Sequence, residues 1–243
     1  MTTPAWLPDK KYYEYIFHKH YNPGVEWQNW NPWDQWNYPD GDLVRWEQVI
    51  ARQISYIKNQ RVLDVGCFLG HMSLFCLHNG AKHVTGTDVR DESLVLAQEL
   101  TQIAGYSNCD FKNTNVNDPQ FQELCSNHDT VLLAGVLPIL TNHFEVLRTI
   151  ANSRAQTLII DSPIVSNSLT PTIDWRIEST QEKYSGYDSN NAAMFVGTPN
   201  HRWLEQALVH LGFNLVYNNI FEFVNDPEGT LNKHCVIVGK KLI

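Results

Sequence analysis

The chain has no apolar run approaching the roughly 18 residues that cross a bilayer. Its opening, MTTPAWLPDKKYY, lacks the continuous apolar core of a secretory signal. These absences argue against a membrane partner. No CxxC pair occurs, and the five cysteines (Cys67, Cys76, Cys109, Cys125, Cys235) are odd in number and scattered. Free cysteines in helices or strands behave as small hydrophobes, which suits a reduced, cytoplasmic setting. Positive charge is also scarce. Against 26 Asp and Glu there are 18 Lys and Arg, and the formal net charge of -8 repels phosphate backbones, which disfavours a nucleic-acid partner. Neither a repeat, a low-complexity tract nor a linker interrupts the 243 residues, so a single domain spanning 1–243 is expected.

Tryptophan, by contrast, is abundant and uneven, with Trp6, Trp27, Trp30, Trp33, Trp36 and Trp46 all in the first fifth. Residues 1–41 are aromatic, broken by Asn31-Pro32 and Pro39-Asp40-Gly41, and read as an ordered cap. Its tryptophans suit a core under a lid or an aromatic cage. From Asp42 to about Lys58, apolar residues spaced three and four apart predict an amphipathic entry helix. With the cap it makes up residues 1–58, ahead of a core at 59–243.

The most informative stretch is RVLDVGCFLGHMSLFCLHNGAKHVTGTDV, Arg61 to Val89. It reads as a buried strand, a turn from Gly66 to Gly70, a helix stopped by Gly80, and a second strand ending at Asp88. Strand, glycine turn, helix and strand form a βαβ unit and predict a parallel sheet. Asp64 and Asp88 fall where such sheets bind ligands, and an acid about 20 residues past the turn suits paired ribose hydroxyls. A dinucleotide site needs Gly-x-Gly-x-x-Gly, but Phe68 holds the position of the second glycine, which disfavours a pyrophosphate.

Further on, the pattern predicts a helix over Asp91–Ala104 with Asp91 as N-cap, then a strand over Asn108–Asn113 and a weak helix through Phe121 and Leu124. Next come a strand over Thr130–Ala134, a helix over His143–Asn152 and a strand over Gln156–Ile160 running into Asp161. Residues 162–197 show no sustained period and read as a lid or binding loop. Thr198-Pro199 signals a helix start, and Phe213–Phe223 with His234–Lys240 closes the chain as two strands.

This pattern resembles the class I S-adenosylmethionine-dependent methyltransferases over about residues 42–240. VLDVGCFLG is similar to the family's cofactor turn, TGTDV to its second motif, and HDTVLLAGVL to its fourth-strand segment. The resemblance implies an α/β, Rossmann-like sheet of seven mostly parallel strands with an antiparallel last strand, and S-adenosyl-L-methionine as cofactor. It also implies cofactor contacts at Asp64, Gly66, Cys67, Phe68, Gly70, Asp88, Val89, Asn115, Val116 and Gly135. Asn115 replaces the family's usual Asp near the adenine. GDLVRWEQV resembles the entry helix of the branch containing the tRNA wobble-uridine carboxymethyltransferase, but Pro138 follows Gly-Val-Leu where that branch carries Tyr-His.

Methyl transfer from a sulfonium is an in-line displacement, which needs an aligned nucleophile and sometimes a base. His143, Asp161 and His71 are the candidate bases; each also fits a helix start or a strand end. Tyr184 and Tyr187 in the insertion could line an acceptor site. His18 and His20 sit badly for one ion, and no metal site is expected. The expected enzyme methylates O or N of a small-molecule acceptor; the alternatives are a non-catalytic binding module and an RNA-modifying enzyme.

Overall fold

A computed structural model of the chain describes residues 40–165, 169–179, 187–188, 193–224 and 231–241, with a few positions before residue 40. Most of the aromatic cap, including Trp6, Trp27, Trp30, Trp33 and Trp36, lies outside the described residues, as do His18, His20 and Tyr184. The entry segment forms α1 (Asp40–Val49) and then a 3-10 turn over Ala51–Tyr56, not one helix. Buried Gln53 explains the change, because its side-chain amide donates to the Gln48 carbonyl at 3.2 Å and competes with the helical ladder.

The core then alternates strand and helix: β1 (Arg61–Val65), α2 (His71–His78), β2 (His83–Asp88), α3 (Asp91–Ile103), β3 (Cys109–Asn113), α4 (Gln120–Ser126), β4 (Thr130–Ala134), α5 (His143–Asn152) and β5 (Thr157–Pro163). Asp91 is the first helical residue of α3 and not its cap; Arg90 takes the cap position, and the Asp91 carboxylate accepts from Asn113 at 2.7 Å. After β5 come β6 (Ile173–Ser179), β7 (Tyr187–Asp188), β8 (Ala193–Pro199), α6 (His201–His210), β9 (Phe213–Val224) and β10 (Leu231–Lys241).

Seven strands form one sheet in the order β3-β2-β1-β4-β5-β10-β9, all parallel except β10, which runs antiparallel to both neighbours. The order reverses between β1 and β4, the switch point where ligands bind such sheets. Both faces are covered, which is why the inner strands read as near-continuous apolar runs. Leu63, Val131, Leu158 and Ile237 pack toward α4, α5 and α6. Val62, Leu132, Ile159 and Val236 pack with Trp46 of α1 and Phe75 of α2, whose rings lie 4.7 Å apart. Side chains alternate along a strand, so Asp64, Asp161 and His234 share this second face, at the carboxyl end of the sheet.

The stretch predicted as a loop over 162–197 carries a second, three-stranded antiparallel sheet, ordered β6-β8-β7, with Tyr187 in its edge strand. The period-two alternation of Ile173, Trp175 and Ile177 with Asp174, Arg176 and Glu178 forms β6. The predicted helix start at Thr198-Pro199 is also corrected: both residues pair with β6, and α6 begins at His201. Asn200 is the cap. Its fully buried amide oxygen accepts from Trp203 N–H at 2.8 Å and its amide nitrogen donates to the Thr170 carbonyl at 2.7 Å.

His143 ties the two sheets together. Its Nε2 donates to the Gly197 carbonyl at 2.8 Å, and its ring meets Trp175 and Trp203 edge-on at 5.3 and 5.9 Å. A methyl at Gly197 would sit 2.6 Å from the Trp175 ring and 2.8 Å from His143 Cε1. Gly197→Ala is therefore expected to cost about 1–3 kcal/mol by overpacking. The check is thermal unfolding, together with faster proteolysis within residues 173–199 than elsewhere.

Candidate functional site

The turn after β1 is built for close approach. Gly66 has φ +68°, and a Cβ there would lie 2.5 Å from Val136 Cγ2, so only glycine fits. Cys67 N–H donates to the Thr87 carbonyl at 2.9 Å and Gly70 N–H to the Cys67 carbonyl at 2.8 Å, which fastens the turn to β2. Burial pushes the Cys67 thiol well above its ordinary range, so it is a neutral packing group. Phe68 is held at φ +50°, a left-handed conformation costly for a bulky residue. Its N–H donates to Asp88 Oδ2 at 3.0 Å, a charge-assisted bond that offsets the strain.

Asp64, one residue before the end of β1, is almost fully buried and accepts from Ser73 Oγ at 2.6 Å. Desolvation raises its pKa from 3.8 to about 6, opposed by the Ser73 bond. A buried carboxylate in this state is suited to a cationic ligand, which would restore its full charge.

Asp88 ends β2 with its acceptor sites filled. Beyond the Phe68 N–H, it takes Arg90 N–H at 3.1 Å, Arg90 Nε at 2.9 Å and Arg90 Nη2 at 3.1 Å. The Arg90 guanidinium is buried and lies 4.6 Å from the Phe68 ring centre. Val89 between them is partly exposed. Past β3, Asn115 folds its own turn: its N–H donates to Asp118 Oδ2 at 2.9 Å, and its Oδ1 accepts from Asn117 N–H at 3.0 Å. Val116 packs partly buried on the core.

Gly135, after β4, has φ +74°, and a Cβ there would lie 2.5 Å from Arg45 Nη2, so the α1 guanidinium lies directly over this glycine. Arg45 Nε and Nη2 both reach Asp161 Oδ2 at 2.6 Å, and His234 Nδ1 lies 2.9 Å from Asp161 Oδ1. Asp161 has no exposed surface. Burial acts to raise its pKa, but Arg45 and His234 outweigh it and hold the carboxyl below the ordinary value of 3.8. Asp161 is thus ionised at neutral pH and acts through its partners.

Asp161 is thereby joined to Arg45, His234 and, through its carbonyl, the Gly135 N–H at the carboxyl side of the sheet. His143 commits Nε2 to Gly197, and burial pushes its imidazole below the ordinary range. His71 opens α2 just past Gly70. Four participants escaped the sequence reading: Ser73, Arg90, Arg45 and His234. Arg45 lies inside the GDLVRWEQV entry helix singled out by its resemblance. His234 stood in an ordinary strand pattern and gave no signal.

A family model described as "Methyltransferase domain" matches residues 57–207, more than half of the chain. Among proteins of assigned function, the ribosomal protein L11 methyltransferase of Lactobacillus johnsonii is 27% identical over 158 residues, covering 57% of this chain and 48% of that protein. The tRNA U34 carboxymethyltransferase of Shewanella sediminis is 32% identical over 126 residues, covering 48% of this chain and 37% of that protein. The chain spans about half or less of the length of these relatives. The N-terminal domain of EvdMO1, solved in the presence of SAH and D-fucose, is similar in fold with TM-score 0.62 and 17% identity, covering 99% of this chain and 100% of that one. With the glycine turn, the strand-end carboxylates and the 3-2-1-4-5 strand order of its parallel part in place, the chain belongs to the methyltransferase-domain family and has the Rossmann-like fold of the class I S-adenosylmethionine-dependent enzymes.

Proposed function

We propose that the chain binds S-adenosylmethionine across the carboxyl ends of β1, β2 and β4 and methylates an oxygen or nitrogen of a small-molecule acceptor. The observation that carries the reading is the pair of buried carboxylates on adjacent strands, Asp64 and Asp88, joined by a glycine turn with Phe68 in its middle. Asp64 would hold the ammonium, Asp88 the ribose hydroxyls, and Asn115 with the Val116 N–H the adenine edge. Gly66, Cys67, Gly70, Val89 and Gly135 would let backbone approach the ligand. These residues fit the cofactor on their chemistry: a cation meets a carboxylate of raised pKa, and a phosphate-free ligand meets a turn without a second glycine. The cofactor brings an electrophilic methyl group; the chain aligns the nucleophile and excludes water.

The formal charge of -8 supports a small acceptor over a nucleic acid. His143 is proposed as a fastening for the small sheet and not as the base, because Gly197 holds its Nε2. Calorimetry with S-adenosylmethionine and S-adenosylhomocysteine tests the cofactor half. Release of S-adenosylhomocysteine with a panel of small hydroxyl and amine compounds, a ribosomal protein fraction and tRNA tests the acceptor half. Binding of both ligands and turnover of a small compound is the expected result. Failure to bind either ligand overturns the cofactor assignment, and turnover confined to protein or tRNA overturns the acceptor class.

A further inference from the structure

We propose that His128 is a buried, acid-sensitive fastening of the α4–β4 corner: the neutral ring takes the Thr85 hydroxyl as a donor, and protonation turns that hydroxyl to Asp110 and weakens the fold. No motif marks this residue, and its role does not depend on the methyl-transfer reading. His128 lies between α4 and β4 and is only 4% exposed. Its Nδ1 is 2.6 Å from the Leu124 carbonyl of α4, and its Nε2 is 2.9 Å from Thr85 Oγ1 within β2. Thr85 Oγ1 is in turn 3.0 Å from Asp110 Oδ1 on β3, its partner in the strand register.

The supply of hydrogens gives this chain two states. A carbonyl can only accept, so Nδ1 carries a hydrogen in both. Nε2 of the neutral ring is then a bare lone pair, and the Thr85 hydroxyl has one hydrogen for two acceptors. Asp110 is already well served, because His83 Nε2 meets its Oδ1 at 2.5 Å and Lys112 Nζ meets its Oδ2 at 3.1 Å. Nε2 has no donor but Thr85 among the described residues, so the hydroxyl turns to the ring. Once the ring takes up a proton, Nε2–H donates to Thr85 Oγ1, and the hydroxyl's hydrogen passes to Asp110. Burial acts to raise the Asp110 pKa, but its bonds from His83, Lys112 and Thr85 outweigh this and keep it an ionised acceptor.

The surroundings set the cost of that proton. Arg61 on β1 donates from Nε to the Asn127 carbonyl, next to His128, at 2.9 Å. His83 faces the ring from β2, Asp110 with Lys112 from β3, and α4 supplies the Leu124 carbonyl. The neighbouring Asp129 carboxylate is taken by the Arg61 N–H at 2.8 Å. Burial pushes the imidazole below its ordinary 6.5; the Leu124 carbonyl and Asp110 act against this, and the Arg61 and His83 charges reinforce it. The unfolded chain therefore takes up this proton at a higher pH than the folded chain. The stability contributed by the neutral ring is full above about pH 6.5 and is lost as pH falls toward the folded value.

The test begins with wild type. Nitrogen-15 shifts of labelled histidine in the full chain should show Nδ1 of His128 protonated and Nε2 bare at pH 8. In His83→Gln, which removes the other imidazole from Asp110, the Asp110 carboxyl carbon-13 shift should step at the His128 pKa. Thr85→Val takes away the acceptor for Nε2–H and should lower that pKa by about one unit, a tenfold weaker hold on the proton. His128→Asn keeps a donor toward Leu124 and does not titrate; relative to it, wild type should lose stability to denaturant between pH 8 and pH 5. A bare Nδ1, an Asp110 shift blind to His128, an unchanged pKa in Thr85→Val, or equal pH dependence of wild type and His128→Asn overturns the proposal. The first of these readouts needs no variant, so it stands even where a substitution fails to fold.

Discussion

Asp64→Asn is expected to make the free protein more stable at pH 8 and to remove most of its affinity for S-adenosylmethionine. The reason is the state of the buried carboxyl. A folded-state pKa of about 6, against an ordinary 3.8, means that the folded chain holds this proton more tightly than the unfolded chain. Asp64's contribution to stability is therefore full below about pH 4 and is lost as pH rises through 6. The ionised form then costs the folded state about 3 kcal/mol. An amide keeps an acceptor for Ser73 Oγ and carries no charge, so it recovers much of that cost. The same change removes the counter-charge for a ligand ammonium, and a weakening of about 10- to 100-fold is expected. In the wild type, affinity should fall as pH drops below 6, and binding at pH 6 should release a proton. Denaturant unfolding at pH 5 and pH 8, with calorimetry in two buffers of different ionisation heat, measures both. Equal affinity in the two proteins would remove Asp64 from the cofactor site.

The second large effect concerns Arg90. The Asp88 carboxylate already receives four donors, two of them from the Arg90 side chain, so a ribose can engage both oxygens only when that guanidinium withdraws. Arg90→Met keeps an apolar stem against Phe68 and leaves both backbone donors in place. Ligand binding should tighten about tenfold, because a charge-assisted hydrogen bond contributes about 1.5–3 kcal/mol. The free variant should melt lower, since a buried carboxylate has lost its partner. A larger ligand-induced rise in melting temperature than in wild type is the signature. Weaker binding by the variant would mean that Arg90 contacts the ligand instead of competing with it. Asp88→Ala, by contrast, should lose binding by 100-fold or more and also strand the buried Arg90 guanidinium.

The glycine turn and strand-end acids proposed to hold the cofactor were legible in the sequence because these parts are local. The turn, both strands and Asp64 and Asp88 fall within one βαβ unit, and the buried strands carry apolar runs with the acids at their ends. The Arg45–Asp161–His234 cluster was not legible. Its contacts join residues 116 and 73 positions apart, and nothing in a strand's alternation distinguishes an imidazole that meets a carboxylate across the sheet. The small second sheet is a different case. The alternation from Ile173 to Glu178 was present in the chain, but the polar, Ser- and Asn-rich context masked it. At Thr198-Pro199 a strong helix signal lost to strand pairing, and Asn200 provided the cap two residues later.

The fastening of Asp161 bears on how this protein can be trimmed. The segment that matches the family model, 57–207, contains Asp161 but neither Arg45 nor His234. A minimal version cut to that segment would keep the family's signature and leave an ionised carboxylate in the sheet with neither counter-charge nor donor. Such a fragment should aggregate, or hold Asp161 protonated. The two outer pieces, α1 and the β9–β10 pair, therefore belong in any version of the chain expected to keep Asp161 paired.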